Sequence, residues 1–573
     1  MIASVIHLDA GALPGPRLAE LCSGAALLAC RLQQQGVQAT LLLQCSAAAD
    51  AAACFAAAQL ALERTAAAPS DIVFVSVSDS SAAASQAAAL GCAAVEHLPA
   101  RAATPAQVQA WGLQAVACHA ARRHAPPPLM VGYVMKESRQ LALSAQGMLP
   151  LLAPPPAAAP AGAPGGPSSP SSAAAAAPAA GARAMCFMPL DLGSILSHQL
   201  RRCHIVLQKL TDCLQPGGGG GGGGGGSSAV APFTPEAAAL LAALDQQQQP
   251  PQQQQHGASP AAAAGEGNAG AGAVAAAVPV CLVDPATTLQ PIMDRAELVR
   301  HLQATALAVR QQAIPMRAPA SLLLRAYDPA ATPRQLAAAG VALPCILKPQ
   351  AACGVAEAHQ MAFILHGSGF AELEVPLPAL AQEYVDHGGT VWKVYVAGRQ
   401  RLLADAWGQQ VFWTQRKSTP DLAPLAAQLA ADADADIPAS IGFDSLKSLP
   451  TTLPWLRHTQ KPQAPAQHEQ QQAQQAQAEA DGVAAGSGGG SVAGRELMRQ
   501  PTFEAVAAAL RQRLGLTLFG FDLVFDRAAG ELVIVDVNYF PSFKGIPEAP
   551  AALQGALWER YAAHLAAAAA AKQ

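Results

Sequence analysis

Three stretches of strongly biased composition interrupt the chain and limit how much of it can form a packed core. They are a Pro/Ala/Ser-rich stretch over residues 154–182, a Gly/Gln-rich stretch over 217–272 and a Gln/Ala/Gly-rich stretch over 461–494. Such compositions cannot bury enough apolar surface to offset the conformational entropy that is lost when a backbone is ordered. We therefore predict that they are disordered inserts, and that the fold is assembled from the segments between them.

The balance of charge argues against some classes of partner. The chain has 35 Lys and Arg against 39 Asp and Glu, which gives no general attraction to nucleic acid or to anionic membranes. The 12 cysteines lie singly, without a C-x-x-C pair. No run of 18 or more strongly apolar residues occurs. We expect a soluble cytoplasmic monomer with reduced thiols, with the nucleus as an alternative location, that binds neither nucleic acid nor membranes.

Residues 1–122 have the pattern of a small α/β domain, because apolar runs alternate with Ala-rich amphipathic stretches. The segment after residue 70 faintly resembles the end of a haloacid-dehalogenase-like domain. Asp9, however, is a single carboxylate, and Gly11 stands where that family has its second. We interpret this part as a degenerate accessory domain that could be removed without loss of the activity carried by the rest of the chain.

After residue 129 the pattern changes to short strands separated by helices with clear start signals. Asp294 and Glu297 have the spacing of a capping box and precede apolar residues at helical intervals. Leu553, Leu557 and Tyr561 recur every four residues and predict a closing amphipathic helix. This alternation of strands and helices is typical of the α/β class, with mixed α+β lobes.

The segment from residue 518 to 545 predicts a β-hairpin with polar side chains on one face. Strands over 519–525 and 532–538 flank a turn signal over 526–530. Because side chains alternate across a strand, Asp522 should lie opposite the face of the phenylalanines, and Asp536 and Asn538 opposite a face shared by Val533, Val535 and Val537. Three oxygen ligands can then converge, as Mg²⁺ requires. The alternative is that the two acids are solvated strand residues.

Two lysines lie on strands that are otherwise apolar. Lys348 ends the run LPCILK, and Lys393 is embedded in VWKVYVAG. A lysine in such a strand is costly unless an anion meets it. Phosphate is one candidate partner, and a salt bridge to a nearby Glu is the alternative for either lysine.

A series of segments resembles the successive blocks of the inositol 1,3,4-trisphosphate 5/6-kinase family. They appear in the order of the family between residues 129 and 565, interrupted by the biased stretches. The blocks are VGYVMKESR, HIVLQKLTD, CLVDPATTLQPIMDR, LPCILKPQAACGVAEAHQM, LAQEYVDHGGTVWKVYVAG, and LTLFGFDLVFD with VDVNYFPSFKGIPE. Their number and order make the resemblance specific.

The resemblance implies an ATP-grasp fold, in which ATP lies between two small α+β lobes and Mg²⁺, expected as two ions, is held on the last hairpin. It implies an N-terminal inositol phosphate kinase lobe over residues 129–314 and an ATP-grasp domain over 315–568. The residues implied to be catalytic are Lys348, Lys393 and Asp536.

The matching positions of the family also imply the ligands of each substrate. Gln382 to Val385 match the linker whose backbone holds adenine. The residues implied for ATP are Arg295, Lys348, Gln382, Glu383, Tyr384, Val385, Lys393, Arg416 and Ser418. Those implied for an inositol phosphate are Arg139, Lys209, His359, Lys393, Asn538 and Ser542. Those implied for the metal are Asp522, Asp536 and Asn538.

Four parts of the sequence depart from the pattern of the family. Ser138 stands where a lysine is common, Cys353 replaces an Asp or His in the glycine loop, and Ser542 replaces a glycine near the C-terminus. Residues 417–420, KSTP, loosely replace a Ser-Leu-Pro motif. We expect these changes to alter substrate preference rather than phosphoryl transfer.

The function implied is transfer of the γ-phosphoryl group of ATP to a ring hydroxyl of an inositol phosphate, of the inositol 1,3,4-trisphosphate 5/6-kinase and inositol 3,4,5,6-tetrakisphosphate 1-kinase type. The partners are thus ATP and inositol polyphosphates. Two alternatives stay open. One is an ATP-grasp ligase that joins a carboxylate to an amine, and the other is a non-catalytic scaffold that binds inositol phosphates.

Overall fold

The structure is a computed structural model. It describes residues 3–9, 15–35, 37–44, 72–77, 85, 88, 92, 94–98, 103–156, 182–215, 232–248, 279–353, 356–398, 410–432, 436–445, 447, 450–451 and 496–570. The predicted inserts lie outside the described residues, apart from residues 154–156, 182 and 232–248.

Among its described residues, the N-terminal part contains a four-stranded parallel sheet and two helices. Its elements are β1 (Ala3–Asp9), α1 (Gly15–Gln34), β2 (Gln38–Gln44), β3 (Ile72–Val77), β4 (Ala94–Leu98) and α2 (Pro105–Arg123). The strand order is β2-β1-β3-β4, with parallel pairing throughout. The α/β pattern expected here is confirmed. Asp9 ends β1, and Gly11 lies outside the described residues.

Helix α2 joins this first sheet to the next one. The N-cap residue Thr104 accepts a hydrogen bond from the Gln107 N–H, and a proline in the first turn fixes the start of the helix. Val116 of α2 belongs to one apolar core together with Val73 of the first sheet and Cys186 of the second. The boundary predicted at residue 122 therefore does not coincide with a gap in packing, because both sheets share this helix.

The second sheet is mostly parallel and has the order β6-β7-β5-β8-β9, with only β6 antiparallel among its pairings. The elements of this part are β5 (Leu129–Val134), α3 (Glu137–Ala145), β6 (Leu152–Ala153), β7 (Met185–Pro189), α4 (Leu196–Leu200), β8 (Ile205–Gln208), α5 (Pro235–Gln248), β9 (Cys281–Val283), α6 (Ala286–Met293) and α7 (Arg295–Arg310). Asp294 caps α7 through its carboxylate, which confirms the predicted start of that helix.

One of the predicted inserts contains a helix. Helix α5 lies within the Gly/Gln-rich stretch, and the prediction of disorder over all of 217–272 is wrong for residues 235–248. Ala237, Leu240 and Leu244 are at most 1% exposed and pack in the core shared with α2. Their spacing puts them on one face of a helix. This local amphipathic pattern outweighs the average composition of the stretch.

Two antiparallel sheets follow, built from the elements after residue 315. These are β10 (Met316–Arg317), β11 (Ser321–Leu324), α8 (Thr332–Ala338), β12 (Cys345–Pro349), β13 (Gln360–Ile364), β14 (Ala379–Glu383), β15 (Thr390–Ala397), β16 (Gln410–Lys417), α9 (Ala423–Ala431), β17 (Ser440–Asp444), α10 (Gln500–Leu514), β18 (Leu518–Asp526), β19 (Glu531–Tyr539) and α11 (Ala549–Ala570). The third sheet has the order β11-β14-β12-β13-β17, and the fourth β10-β19-β18-β15-β16. The short β10 pairs in parallel with β19.

The hydrophobic cores do not follow the domain boundary expected between residues 314 and 315. The second and fourth sheets share one core, in which Val131 of β5 and Phe519 of β18 both lie. The third sheet has separate cores on its two faces, one around Leu347 and one around Phe363. It therefore forms a lobe of its own, connected through β14 and β15 to the rest of the structure.

The closing helix α11 is present as predicted. Leu553 and Leu557 are at most 1% exposed and Tyr561 is 8% exposed, so the face expected to be apolar is the buried one. Among the helices that the structure describes, none combines the length and the apolarity that a membrane span needs.

Candidate active site

A cleft of about 490 Å³ is lined by residues from both the third and the fourth sheet. It brings together most of the residues expected from the resemblance. Those that line it are Lys209, Arg295, Lys348, His359, Gln382, Glu383, Tyr384, Val385, Lys393, Ser418, Asp522, Asp536 and Asn538. Three expected residues, Arg139, Arg416 and Ser542, do not line it.

A row of charged side chains crosses the centre of the fourth sheet. Asp522 on β18 lies directly opposite Asp536 on β19 and directly opposite Lys393 on β15. The Lys393 ammonium donates a hydrogen bond to the Asp522 carboxylate at 2.6 Å. Asn538 follows Asp536 by two residues, and both line the cleft. Two carboxylates and one amide therefore face the cleft side by side.

A β-bulge interrupts the hairpin at this row. The pairing of the strands shifts by one residue after Asp522, and Val535 is the extra residue. The expectation that Val533, Val535 and Val537 share one face is therefore wrong. Val537 packs in the core of the second and fourth sheets, whereas Val533 and Val535 pack in a small cluster beside the cleft. Val535, at the bulge, lines the cleft together with Asp536 and the residues that follow it.

The two expected lysines differ in their charge environment. Burial lowers the pKa of Lys348, and Arg295 lowers it further, while Asp536 and Asp522 oppose this shift. For Lys393 burial also acts to lower the pKa, but Asp522 and Asp536 outweigh it, so the net pKa is raised. The alternative of a salt bridge applies to Lys393, with Asp522 in place of a glutamate. No ion pair of Lys348 is found in the part of the chain that the structure describes.

Burial also acts on the acids. It raises the pKa of Asp522, against the influence of Lys393 and reinforced by Asp536 on the neighbouring strand. Asp522 and Asp536 are adjacent carboxylates, and Lys393 on the next strand supplies only one positive charge. The pair can therefore bind a further cation. No group of three or more His, Cys, Asp or Glu able to bind a metal occurs among the described residues. The donor set of two carboxylates and an amide fits Mg²⁺, which keeps water and phosphate oxygens as its other ligands, rather than a closed zinc site.

Arg295 clamps the glycine-containing loop that follows β12. Its Nη1 donates to the carbonyl oxygens of Pro349 at 2.6 Å, Ala351 at 2.8 Å and Ala358 at 3.2 Å. Arg295 is 8% exposed, and these backbone contacts engage the cation that the resemblance implies for ATP. His359, at the end of the same loop, lies with Nδ1 3.1 Å from the Ser445 hydroxyl.

Apolar side chains surround the segment Gln382–Val385, at one end of the cleft. Ile346 and Phe363 of the third sheet cluster with Tyr384, and Val391 and Val524 of the fourth sheet cluster with Val385. All of them line the cleft. A flat, largely apolar ring such as a purine would fit between these two groups of side chains.

Two of the residues expected for the inositol phosphate, Lys209 and Arg139, lie in the part of the chain that forms the second sheet. The Lys209 ammonium donates to the Tyr539 carbonyl oxygen and lies 4.9 Å from the centre of the Tyr539 ring. Burial lowers the pKa of Lys209 to about 8, and nearby Arg139 adds to this shift, while Asp212 opposes it. Arg139 itself forms an ion pair with Asp212 at 3.0 Å.

Two other expected residues lie near the loop that follows β19. Arg416 donates to the Lys544 carbonyl oxygen at 3.0 Å. Ser542 is exposed in the same loop. Arg416 thus binds a backbone oxygen of the C-terminal loop, and neither residue reaches the cleft lining.

Three residues near the site have no signal in the sequence analysis. Arg317 on β10 forms ion pairs with Glu383 at 2.6 Å, Asp526 at 2.7 Å and Glu531 at 3.0 Å. It thereby ties β14 to both ends of the turn of the β18–β19 hairpin. The other two are His387, which lines the cleft, and Asp284, which is buried just after β9. Because the partners of Arg317 come from three distant segments, no local spacing could have identified it.

Comparison with known proteins agrees with these features. The family model described as inositol 1,3,4-trisphosphate 5/6-kinase ATP-grasp domain matches residues 313–422 and 467–559. Inositol-tetrakisphosphate 1-kinase 6 of Oryza sativa is 32% identical over 271 residues, which cover 47% of this chain and 40% of that protein. Inositol-tetrakisphosphate 1-kinase 1 of Zea mays is 28% identical over 284 residues, 49% of this chain and 68% of that protein. The chain thus spans less than half the length of the rice relative.

Similarity to solved structures is weaker. Carboxyaminoimidazole ribonucleotide synthase of Aspergillus clavatus, in complex with ATP, is 10% identical, covers 75% of this chain and 77% of its own, and has a TM-score of 0.34. At that score the likeness carries no argument, and the assignment of the ATP-grasp fold rests on the family match and on the blocks in the sequence. By these matches, residues 313–422 and 467–559 are similar to the ATP-grasp domain of the inositol 1,3,4-trisphosphate 5/6-kinase family, in agreement with the resemblance of the sequence blocks.

Proposed function

We propose that this protein is an ATP-dependent inositol polyphosphate kinase that transfers the γ-phosphoryl group of ATP to a ring hydroxyl of an inositol phosphate. The observation that carries the proposal is the row Lys393, Asp522 and Asp536 across the fourth sheet, with Lys348 lining the same cleft. Phosphoryl transfer needs little covalent chemistry from a protein, and depends on positioning and on charge stabilisation. Two lysines and two adjacent carboxylates beside the apolar part of the cleft supply both the positioning and the charge stabilisation.

Each group has a part in the proposed reaction. Asp522, Asp536 and Asn538 would hold Mg²⁺, proposed as two ions. When bound, Mg²⁺ would neutralise charge on the phosphates of ATP. Lys348 and Lys393 offset the charge on the transferred phosphoryl group. The apolar side chains of the cleft hold the nucleotide base, which positions the phosphoryl group next to these lysines.

The acceptor is proposed to bind at the end of the cleft where Lys209 lies. Lys209, His359 and Lys393 all line the cleft, and Arg139 lies close enough to Lys209 to influence its pKa. A chain with a formal net charge of -4 has to concentrate its cations locally to bind a polyanion. The names of the rice and maize relatives, inositol-tetrakisphosphate 1-kinases, support an inositol phosphate as the acceptor.

Within this class we propose a preference of the inositol 1,3,4-trisphosphate and inositol 3,4,5,6-tetrakisphosphate type, and action as a cytoplasmic monomer whose partners are these small molecules. The departures at Ser138, Cys353 and Ser542 lie close to the acceptor end or its loops. They are where we expect selectivity among inositol phosphates to differ from that of the relatives.

The test is to incubate the purified full chain with MgATP and a panel of inositol phosphates, and in parallel with amino acids and peptides. Chromatographic identification of the products should reveal a more highly phosphorylated inositol together with ADP. Consumption of ATP only with a carboxylate and an amine would instead identify a ligase. Binding of inositol phosphates without any turnover would identify a scaffold.

A further inference from the structure

Arg31 is a buried cation of the N-terminal domain, β1 to α2, and forms no ion pair with an acid among the described residues. It lies on α1 and is 2% exposed. Its guanidinium donates to neutral oxygens outside its own helix: the Tyr133 hydroxyl at 3.1 Å, the Gln140 side chain at 3.2 Å and the Gln109 side chain at 3.4 Å. A buried charge is costly unless such contacts satisfy it. Two of these partners, Tyr133 and Gln140, belong to β5 and α3, so the cation of one domain is directed at the next.

A second path connects the same cation to the first turn of α3. Gln109 of α2 accepts from Arg31 through its side-chain oxygen, and its side-chain amide donates to the Glu137 carboxylate at 2.8 Å. Gln140 in turn donates to the Met135 carbonyl oxygen at 2.8 Å, in the connection between β5 and α3. The N-terminal domain therefore holds both the start of α3 and the connection that leads into it.

Another face of α3 carries Arg139. Glu137 and Gln140 are three residues apart and are neighbours on the helix surface, whereas Arg139 projects in a different direction. The Arg139 Nε donates to the Asp212 carboxylate at 3.0 Å, and the same carboxylate oxygen accepts from the Lys136 N–H at 3.4 Å. The start of α3 thus lies between two anchors, the N-terminal domain on one face and Asp212 on the other.

The pair of Arg139 and Asp212 lies beside the cleft. Asp212 directly follows Thr211, which lines the cleft together with Lys209. The Arg139 side chain is 29% exposed, and within the ranges that the structure describes its Nη1 and Nη2 form no hydrogen bond. With Nε held by Asp212, these two groups remain for an anion, and a guanidinium fork matches the oxygens of a phosphate. The orientation of α3 therefore decides where this cation points.

We propose that Arg31 is a positioning residue for the acceptor: through it the N-terminal domain orients α3, and so directs the Arg139 guanidinium at a phosphate of the inositol phosphate. The inference rests on the proposed kinase function and deepens it, since it gives the N-terminal domain a part in acceptor binding. Arg31 is buried between the two domains and acts through α3. The lysines and carboxylates proposed for phosphoryl transfer lie on the third and fourth sheets. Loss of Arg31 should therefore weaken acceptor binding and leave the handling of ATP unchanged.

The test compares the steady-state kinetics of Arg31→Met, Gln140→Met and Gln35→Ala with wild type, in the full chain. The acceptor is the inositol phosphate that wild type phosphorylates fastest, beginning with inositol 1,3,4-trisphosphate. Arg31→Met removes all contacts of the guanidinium, whereas Gln140→Met keeps the buried cation and removes its contact with α3. The matched control is Gln35→Ala, because Gln35 directly follows α1 and donates across the same interface to the Leu149 carbonyl oxygen at 3.1 Å, outside α3.

In Arg31→Met and Gln140→Met, KM for the inositol phosphate should rise by about three- to thirtyfold, a part of the about ten- to a hundredfold that a hydrogen bond from a charged group contributes. KM for ATP and kcat should stay within about twofold of wild type, as expected when an interaction that is equally strong in ground and transition states is lost. Gln35→Ala should keep all three constants. In an Arg139→Met background, Arg31→Met should raise KM for the acceptor by no more than about twofold, because both residues act through one contact.

An unchanged KM for the acceptor in Gln140→Met overturns the inference, and so does a rise of KM for both substrates, which would mark a purely structural role. An Arg31→Met effect that is as large in the Arg139→Met background as in wild type also overturns it. If Arg31→Met does not fold, Gln140→Met, alone and combined with Arg139→Met, decides the matter. These outcomes leave the kinase proposal intact, whereas a wild type that phosphorylates no inositol phosphate would overturn both.

Discussion

Replacing Asp284 with alanine should destabilise the protein much more than replacing an exposed acidic residue would. Asp284 follows β9 and is 1% exposed. Its two carboxylate oxygens accept from the backbone N–H groups of Thr517 at 2.7 Å and of Leu518 at 3.0 Å. It therefore ties the second sheet to the start of β18, the strand that carries Asp522.

The size of the effect follows from these two contacts. Each buried N–H left without a partner costs about 1–3 kcal/mol, so Asp284→Ala should lower the free energy of unfolding by about 2–6 kcal/mol. The matched control is Asp328→Ala. Asp328 also accepts from two backbone N–H groups, those of Ala330 at 2.8 Å and Ala331 at 3.1 Å, but it is exposed. Water can replace it, so its loss should lower the free energy of unfolding much less than the loss of Asp284 does.

Urea denaturation followed by tryptophan fluorescence measures both variants against wild type. The reasoning requires that Asp284→Ala be clearly the less stable of the two. Equal losses of unfolding free energy would mean that burial of the carboxylate is not what makes the contact strong, and would refute the account of how β18 is anchored.

Three further predictions follow from other contacts. With a pKa of about 8, Lys209 is charged below that pH and neutral above it, so kcat/KM for the inositol phosphate should fall as the pH rises through about 8. In Lys209→Arg this fall should vanish. If the fall persists in the variant, another group causes it. Arg317→Met leaves three carboxylates without their common partner and should lower the free energy of unfolding by about 2–4 kcal/mol in urea, whereas Arg300→Met, at an exposed pair, should change it by less than about 1 kcal/mol. Deleting residues 1–122 removes α2 and its share of the core between two sheets, so far-UV circular dichroism and soluble yield should reveal loss of the fold; a soluble, active kinase from this deletion would contradict the packing.

The sequence was most informative where chemistry and strand periodicity coincide. Asp522, Asp536 and Asn538 stand out as polar residues in apolar strands, and the structure lines all three along the cleft. The same periodicity failed at Val535, because a β-bulge depends on backbone geometry and leaves no mark in the pattern of side chains. The alternation of side chains with a period of two residues therefore located the hairpin, but it assigned the residues of one face wrongly.

Residues whose role depends on distant partners could not be found from the sequence. Arg317 is an ordinary arginine until its three acidic partners are brought around it. Arg31, on α1, is 2% exposed and donates to the Tyr133 hydroxyl at 3.1 Å and to the side chain of Gln140 at 3.2 Å. These contacts join the N-terminal domain to the second sheet. The apparent independence of residues 1–122 reflected a composition shift, whereas the packing is continuous.

The most direct test of the kinase assignment is the turnover of Asp536→Asn. The change keeps the size of the side chain but removes one of the two carboxylates beside the proposed phosphate site. Removing a single electrostatic contact of this kind typically lowers the rate by about 10²–10³. Purified Asp536→Asn protein should unfold at the same urea concentration as wild type, yet phosphorylate an inositol phosphate at least about a hundredfold more slowly with MgATP. The control Asp328→Asn should retain wild-type turnover. Near-normal phosphorylation by Asp536→Asn would contradict the assignment of the β18–β19 hairpin as the metal site, and with it the central claim that this cleft transfers phosphoryl groups.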